Sequence, residues 1–124
     1  MKNKITWVNF IHIYQPPWQQ QGVLEQVASE SYEYLFRLLE RYRQFRCTLN
    51  VTGNLIEQLD LVRPDLIKKL QKIVKRGQVE LTSSAKYHAL LPLLNDREIK
   101  RQIELNQEVL VKYFDNKKIK GFYL

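Results

Sequence analysis

The residues of this sequence best suited to chemistry stand in Asn9-Phe10-Ile11-His12-Ile13-Tyr14-Gln15-Pro16-Pro17-Trp18. His12 and Tyr14 lie two positions apart at the end of an apolar run, and residues two apart on a β-strand project from one face. Pro16 and Pro17 then stop the ladder, because proline has no N–H to donate. Trp18 and three glutamines follow in a loop. Aromatic rings, an imidazole and side-chain amides at the end of a buried strand suit a pocket for a neutral polyhydroxyl ligand.

A second group surrounds residues 78–82. Glu80 interrupts an otherwise apolar strand, and Ser83, Ser84, Tyr87 and His88 follow it. A buried carboxylate is costly unless paired or hydrogen-bonded, so Glu80 reads as a site residue or as one half of a structural pair. Each of the others has a plainer alternative. A strand histidine often serves packing, Tyr87 and His88 can cap a loop, and Trp18 is either packing or a sugar platform. Glu25, Glu30, Glu33 and Glu40 fall on a helix and read as solvated.

These groups must be held by alternating strands and helices. Residues 5–13 predict a strand buried on both faces. The apolar spacing of Leu24, Val27, Ala28, Leu35, Leu38, Leu39 and Tyr42 predicts one long helix over 23–45. A strand over 47–51 ends at Thr52-Gly53-Asn54, whose last two are turn residues. A short helix over 55–61 restarts at Pro64, with Leu66, Ile67, Leu70, Ile73 and Val74 as its buried stripe and Gly77 as its stop. After the strand over 78–82 and an irregular segment, Asn95 and Glu98 form a capping box. The helix behind them buries Ile99, Ile103, Leu110 and Phe114. Lys120-Gly121-Phe122-Tyr123-Leu124 opens a fourth strand and stops without a turn signal, an ending that reads as cut. The alternation predicts an α/β protein of parallel βα units joined by right-handed crossovers. Ligands of such folds sit at the C-terminal ends of the strands. That rule gathers His12, Tyr14, Gln15 and Trp18 with Thr52, Gly53, Asn54, Glu80, Ser83, Ser84, Tyr87 and His88.

The chain has 124 residues, enough for one domain of about 100–150, with 44% hydrophobic and 27% charged residues. Its single cysteine, Cys47, has no internal partner, which points to a reducing, cytoplasmic compartment. Met1-Lys2-Asn3-Lys4 has the charge of a signal-peptide start, but the run behind it holds Asn9 and His12 and lacks a small-residue cleavage site, so no export signal is read. The longest apolar runs fall far below the roughly 18 residues of a membrane span. A net charge of +7 raises nucleic acid as a partner. The basic residues, however, alternate with apolar positions on helices (Lys68, Lys69, Lys72, Lys75 and Arg76, then Arg97, Lys100 and Arg101), as on a solvated face. No nucleic-acid or membrane partner is expected. Structural zinc, a phosphate loop and a Gly-x-Ser-x-Gly elbow all lack their residues. Glycosidases need two carboxylates flanking the scissile bond, and only Glu80 is well placed.

His12-Ile13-Tyr14-Gln15-Pro16-Pro17 resembles the first signature of glycoside hydrolase family 57. Gly77-Gln78-Val79-Glu80-Leu81, running on to Tyr87-His88-Ala89-Leu90-Leu91-Pro92-Leu93-Leu94, looks like the second, and Gly121-Phe122-Tyr123-Leu124 like the opening of the third. The resemblance covers the whole chain in order. Tyr14 stands where many members have histidine, and Ala89 where proline is common. The resemblance implies the N-terminal half of a (β/α)7 barrel, about four strands, with residues 1–124 as one incomplete catalytic-domain fragment. It implies a retaining enzyme acting on α-glucans, such as an α-amylase, branching enzyme, 4-α-glucanotransferase or amylopullulanase, with no metal or organic cofactor. The nucleophilic glutamate and the acid/base aspartate would both fall beyond Leu124. The substrate-binding share would be His12, Tyr14, Gln15, Glu80 and His88, beside which Trp18 stands as a candidate platform. The missing C-terminal part of the domain would be a partner. A small α/β binding module, for sugar or nucleic acid, and a metal-dependent polysaccharide deacetylase are the alternatives.

Overall fold

Three apolar segments pair as a parallel sheet: β1 (Phe10–Ile13), β2 (Cys47–Val51) and β3 (Val79–Thr82), in that order. The computed structural model that shows this describes residues 4–116 and 119–124, so Met1, Lys2 and Asn3 of the stretch weighed as an export signal lie outside it. The register sets Phe10 beside Thr48 and Thr48 beside Glu80, then His12 beside Asn50 and Asn50 beside Thr82. Side chains alternate, so Ile11, Ile13, Cys47, Leu49, Val51, Val79 and Leu81 share one face and the two polar rows share the other. Among the described residues the helices pack their buried side chains on the first face.

The first strand is therefore shorter and less buried than 5–13. Ile5 is 92% exposed, and Phe10 on the open face is 46% exposed. Pairing begins where the Thr48 N–H donates to the Asn9 carbonyl (2.9 Å), and earlier residues run past the start of β2. The predicted fourth strand is reduced to one parallel bridge between Ser83 and Phe122. The Ser83 N–H donates to the Gly121 carbonyl (2.9 Å) and the Tyr123 N–H to the Ser83 carbonyl (2.8 Å). This segment meets Ser83 just past the end of β3.

The long helix predicted over 23–45 is helical over a shorter span, as α1 (Gln21–Val27), a π-turn (Ala28–Tyr32) and α2 (Glu33–Arg41). Its buried positions are Leu24, Ala28, Tyr32, Phe36 and Leu39. Four-residue steps overrun a 3.6-residue turn by about 40° each. The wider π-turn, in which the Glu33 N–H reaches the Ala28 carbonyl, takes up that excess and keeps the stripe on the sheet. Leu38 and Tyr42, predicted in the stripe, instead line an open apolar groove of about 230 Å³ with Ile11, Leu39 and Phe45, and Leu35 lines it while packing half-buried against the core.

The chain between β2 and β3 forms α3 (Gly53–Val62) and α4 (Pro64–Lys75). Pro64 starts the second as predicted, and Gly77, with φ +73°, ends the turn behind it. Arg63 at the break donates to both Asp65 oxygens (2.9 and 2.8 Å) and to Glu33 (2.9 Å), tying this junction to α2. The last helix, α5 (Asp96–Phe114), is capped by Asn95, whose Oδ1 accepts the Glu98 N–H at 3.0 Å. It buries Asn106, Val109 and Leu110, while Ile99, Ile103 and Phe114 are only half-buried. Contact is made where α5 crosses the start of α3, which leaves its first turns overhanging.

That crossing is tight. A Cβ on Gly53 would sit 3.0 Å from Asn106 Oδ1 and 3.2 Å from Val109 Cβ, whereas one on Gly22 meets nothing within 4 Å. Gly53→Ala is expected to destabilise by about 1–3 kcal/mol through overpacking. Gly22→Ala should gain up to about 1 kcal/mol. Urea midpoints of the two variants check both.

Tyr113 donates its hydroxyl to Asp60 Oδ2 (2.9 Å), joining α5 to α3. Burial, with the Asp60 carboxylate adding to it, pushes this phenol up to about 12. The fold favours its protonated form, so its contribution is complete below the ordinary tyrosine value of about 10. It is lost as pH rises toward about 12. Melting temperature should fall over this window, and fall less steeply in Tyr113→Phe.

Candidate functional site

The open face gathers the ring side chains. The His12 ring stacks on Tyr123, 4.5 Å between centroids at 25°, and lies 5.0 Å from His88. Tyr14 lies 4.7 Å from His88 and 6.4 Å from His12, and Phe10 stacks on Tyr123 at 5.4 Å. His12, Tyr14 and His88, predicted from three separate positions, thus meet at the C-terminal ends of the strands. His88 reaches the cluster with φ +52°, a left-handed conformation costly for a side-chain-bearing residue. Its loop is clamped from both sides. The Lys86 N–H donates to the Gln102 carbonyl (3.2 Å) and the Asn54 N–H to the Lys86 carbonyl (3.2 Å). Lys86 Nζ meets Glu57 at 2.8 Å.

Asn50 and Tyr123 are the residues that sequence reasoning missed. Asn50 is 0% exposed, and its amide is satisfied by polar groups of the site. Its Oδ1 lies 2.8 Å from His12 Nδ1, and its Nδ2 donates to Thr82 Oγ1 (3.1 Å) and the Ser83 carbonyl (3.4 Å). The available signal was an amide inside the apolar strand Cys47–Val51, the same kind of signal that drew attention to Glu80.

The other candidates stand apart from the rings. The structure does not bury Glu80. It is exposed on the open face, one row toward the strands' N-terminal ends, beside a cleft of about 240 Å³ lined also by Trp7, Asn9, Arg46 and Thr48. An open face needs no pairing partner for a carboxylate, since water solvates it. Gln15 serves its own loop: its Nε2 donates to the Tyr32 hydroxyl (3.2 Å), and its Oε1 accepts from Gln19 (2.7 Å). Asn54 donates to the Gln15 carbonyl (3.3 Å), and Gln58 to the carbonyls of Pro16 and Pro17 (3.1 and 3.3 Å). The loop after β1 is thereby pinned to α3, and Trp18 stands out from it at 81% exposure. Thr52 caps α3, and Ser83 joins the bridge to Phe122. Ser84 Oγ is buried with no hydrogen-bond partner among the described residues.

Among the described residues no group of three or more His, Cys, Asp or Glu is placed to hold a metal ion, and no helix is long and apolar enough to cross a membrane. Another cleft, of about 430 Å³, lies away from the rings between Gln71, Lys75, Lys112 and Tyr113.

Parallel βα units with imidazole, phenol and amide groups converging at the strand ends place the chain in the α/β class whose ligands sit at the C-terminal ends of the strands. The chain belongs to glycosyl hydrolase family 57, whose model matches residues 3–124. An α-amylase of Pyrococcus furiosus is 32% identical over 108 residues, 87% of this chain and 17% of that protein. The 4-α-glucanotransferase of Thermococcus litoralis superposes with a TM-score of 0.81 at 25% identity, over 86% of this chain and 17% of that one. A family 57 branching enzyme from Thermococcus kodakaraensis superposes with a TM-score of 0.78 at 22% identity, over 94% of this chain and 32% of that one. The fold is that of these enzymes, the (β/α)7 barrel, present here as three parallel strands rather than four. The chain spans about a sixth of the length of the curated relatives it matches.

Proposed function

We propose that these residues form the substrate-binding wall of a retaining family 57 catalytic domain that acts on α-glucans, by hydrolysis or by transfer. The observation that carries this is the cluster of His12, Tyr14, His88 and Tyr123 at the strands' C-terminal ends. Rings offer apolar platforms to the C–H faces of a pyranose, and imidazole and phenol groups exchange hydrogen bonds with its hydroxyls. We assign His12, Tyr14 and His88 to direct contact, Gln15 and Trp18 to the rim of the wall, and Glu80 to its outer reach, one row away from the rings.

A retaining reaction needs a nucleophilic carboxylate and an acid/base carboxylate about 5–5.5 Å apart. Glu80 has no such partner in the cluster. By the family resemblance both catalytic groups follow the Gly121-Phe122-Tyr123-Leu124 match, on strands that would cover the open face. The exposed Phe10 and Glu80 row of the polar face, and the outer edge of β1, which has no strand partner among the described residues, support further strands of the same domain as the partner of this segment. The lone, buried thiol of Cys47 supports a reducing, cytoplasmic setting.

The purified 124-residue chain is expected to bind maltoheptaose weakly, with a dissociation constant on the order of 1 mM, and to turn it over at no measurable rate. Binding should change little with salt. Calorimetry with maltoheptaose and with duplex DNA, each between about 50 and 200 mM salt, separates this from a basic binding module, which would lose about 10³-fold or more in DNA affinity. Robust glucan turnover by this chain, or tight salt-sensitive DNA binding, overturns the reading.

A further inference from the structure

The hydrogen bonds around Asn50 determine more than its own position. The Ser83 carbonyl can only accept, so the Asn50 group facing it at 3.4 Å must be the amide nitrogen. Its oxygen then faces His12 Nδ1 at 2.8 Å, and an amide oxygen can only accept. The proton must therefore sit on Nδ1. A ring nitrogen's protonation is set by the bond its counterpart makes. Nε2 of His12 has no hydrogen-bond partner among the described residues and lies on the opposite side of the ring.

We propose that Asn50 is a positioning residue that holds His12 as its Nδ1–H tautomer, leaving the bare Nε2 lone pair to accept a hydrogen bond from a substrate hydroxyl. The second half of that statement rests on the substrate-binding reading above; the first does not. The same amide fixes the ring's surroundings. The Ser83 carbonyl that receives Asn50 Nδ2 also receives the Tyr123 N–H at 2.8 Å, and Tyr123 is the ring stacked on His12. One buried side chain thus meets both His12 and the carbonyl to which the segment carrying the stacked ring is bonded. The titratable groups around the imidazole are Tyr14, His88 and Tyr123. A lone pair in this position favours a hydroxyl donor and disfavours a phosphate or carboxylate, which brings only acceptors. The device therefore selects a neutral polyol over an anion of similar size.

Two-bond proton–nitrogen NMR correlations on the 124-residue chain, recorded with the imidazole neutral, read the tautomer directly. The expected result is a protonated Nδ1 and a bare Nε2 on His12 in the unmodified chain. Asn50→Leu should release the preference so that both tautomers exchange. A His12 that is Nε2–H or fully averaged in the unmodified chain overturns the proposal, as does an Nδ1–H form that persists in a folded Asn50→Leu. The unmodified spectrum tests the tautomer by itself, so it decides the matter even where a variant fails to fold. An Nδ1–H His12 whose resonances ignore maltoheptaose, in a chain that binds no sugar, would sink the substrate-binding reading and the role of Nε2 while leaving Asn50 as the tautomer's cause.

Discussion

Asn106→Leu is expected to destabilise the protein by about 2–4 kcal/mol, because it strands polar groups that cannot reach water. Asn106 is fully buried on α5. Its Oδ1 accepts the Gly53 N–H at 2.8 Å, and its Nδ2 donates to Ser83 Oγ at 3.4 Å. One amide thereby joins the start of α3 to the end of β3, the two places where the loops bearing the site begin. Leucine has nearly the same shape, so packing changes little and the loss is one of hydrogen bonding. Ser83→Ala in the same background should add little, since its partner is already gone. Urea unfolding of the single and double variants measures this, and a cost below about 0.5 kcal/mol would mean that the amide is dispensable.

The second large effect lies under the sheet. Phe36 is wholly buried on α2, in the stripe whose spacing is restored by the π-turn. Phe36→Ala should cost about 3–5 kcal/mol, combining lost transfer energy with the cavity left behind. The same truncation at Tyr34, which is half-exposed two residues away, should cost less than about 1 kcal/mol. Equal costs at the two positions would mean that the stripe does not face the core as described.

Phe36 also shows where periodicity misleads. Apolar residues on this helix recur at 24, 27, 28, 35, 38, 39 and 42, and a uniform 3.6-residue turn directs attention to Leu35, Leu38 and Tyr42. The true stripe runs through Tyr32 and Phe36, and its four-residue spacing makes sense only with a π-turn, which has no local signature in residue type. The boundaries of β2, α4 and α5 were legible because their signals are local: β-branched or apolar runs, Pro64 at a first turn, Gly77 at a positive φ, Asn95 as a cap. The ends of β1 and of the expected fourth strand were not, because a strand's length depends on how far its neighbour runs.

The site divides the same way. His12, Tyr14 and His88 were legible from alternation and from the rule that ligands meet at strand ends. Asn50 was not, because its importance comes from a register that places it beside His12 and Thr82 across two strands. Glu80 was expected to be buried, as it would be with both faces of the sheet covered; on this sheet the row it occupies is open.

The ring cluster on the open face is, on this reading, a glucan-binding wall. Chemical-shift mapping of the 124-residue chain during titration with maltoheptaose tests it most directly. Saturable shifts of the His12, Tyr14, His88 and Tyr123 ring resonances are expected, with none in the cleft beside Lys75 and Lys112. Shifts confined to that cleft, or an unchanged cluster at saturating sugar, would contradict it.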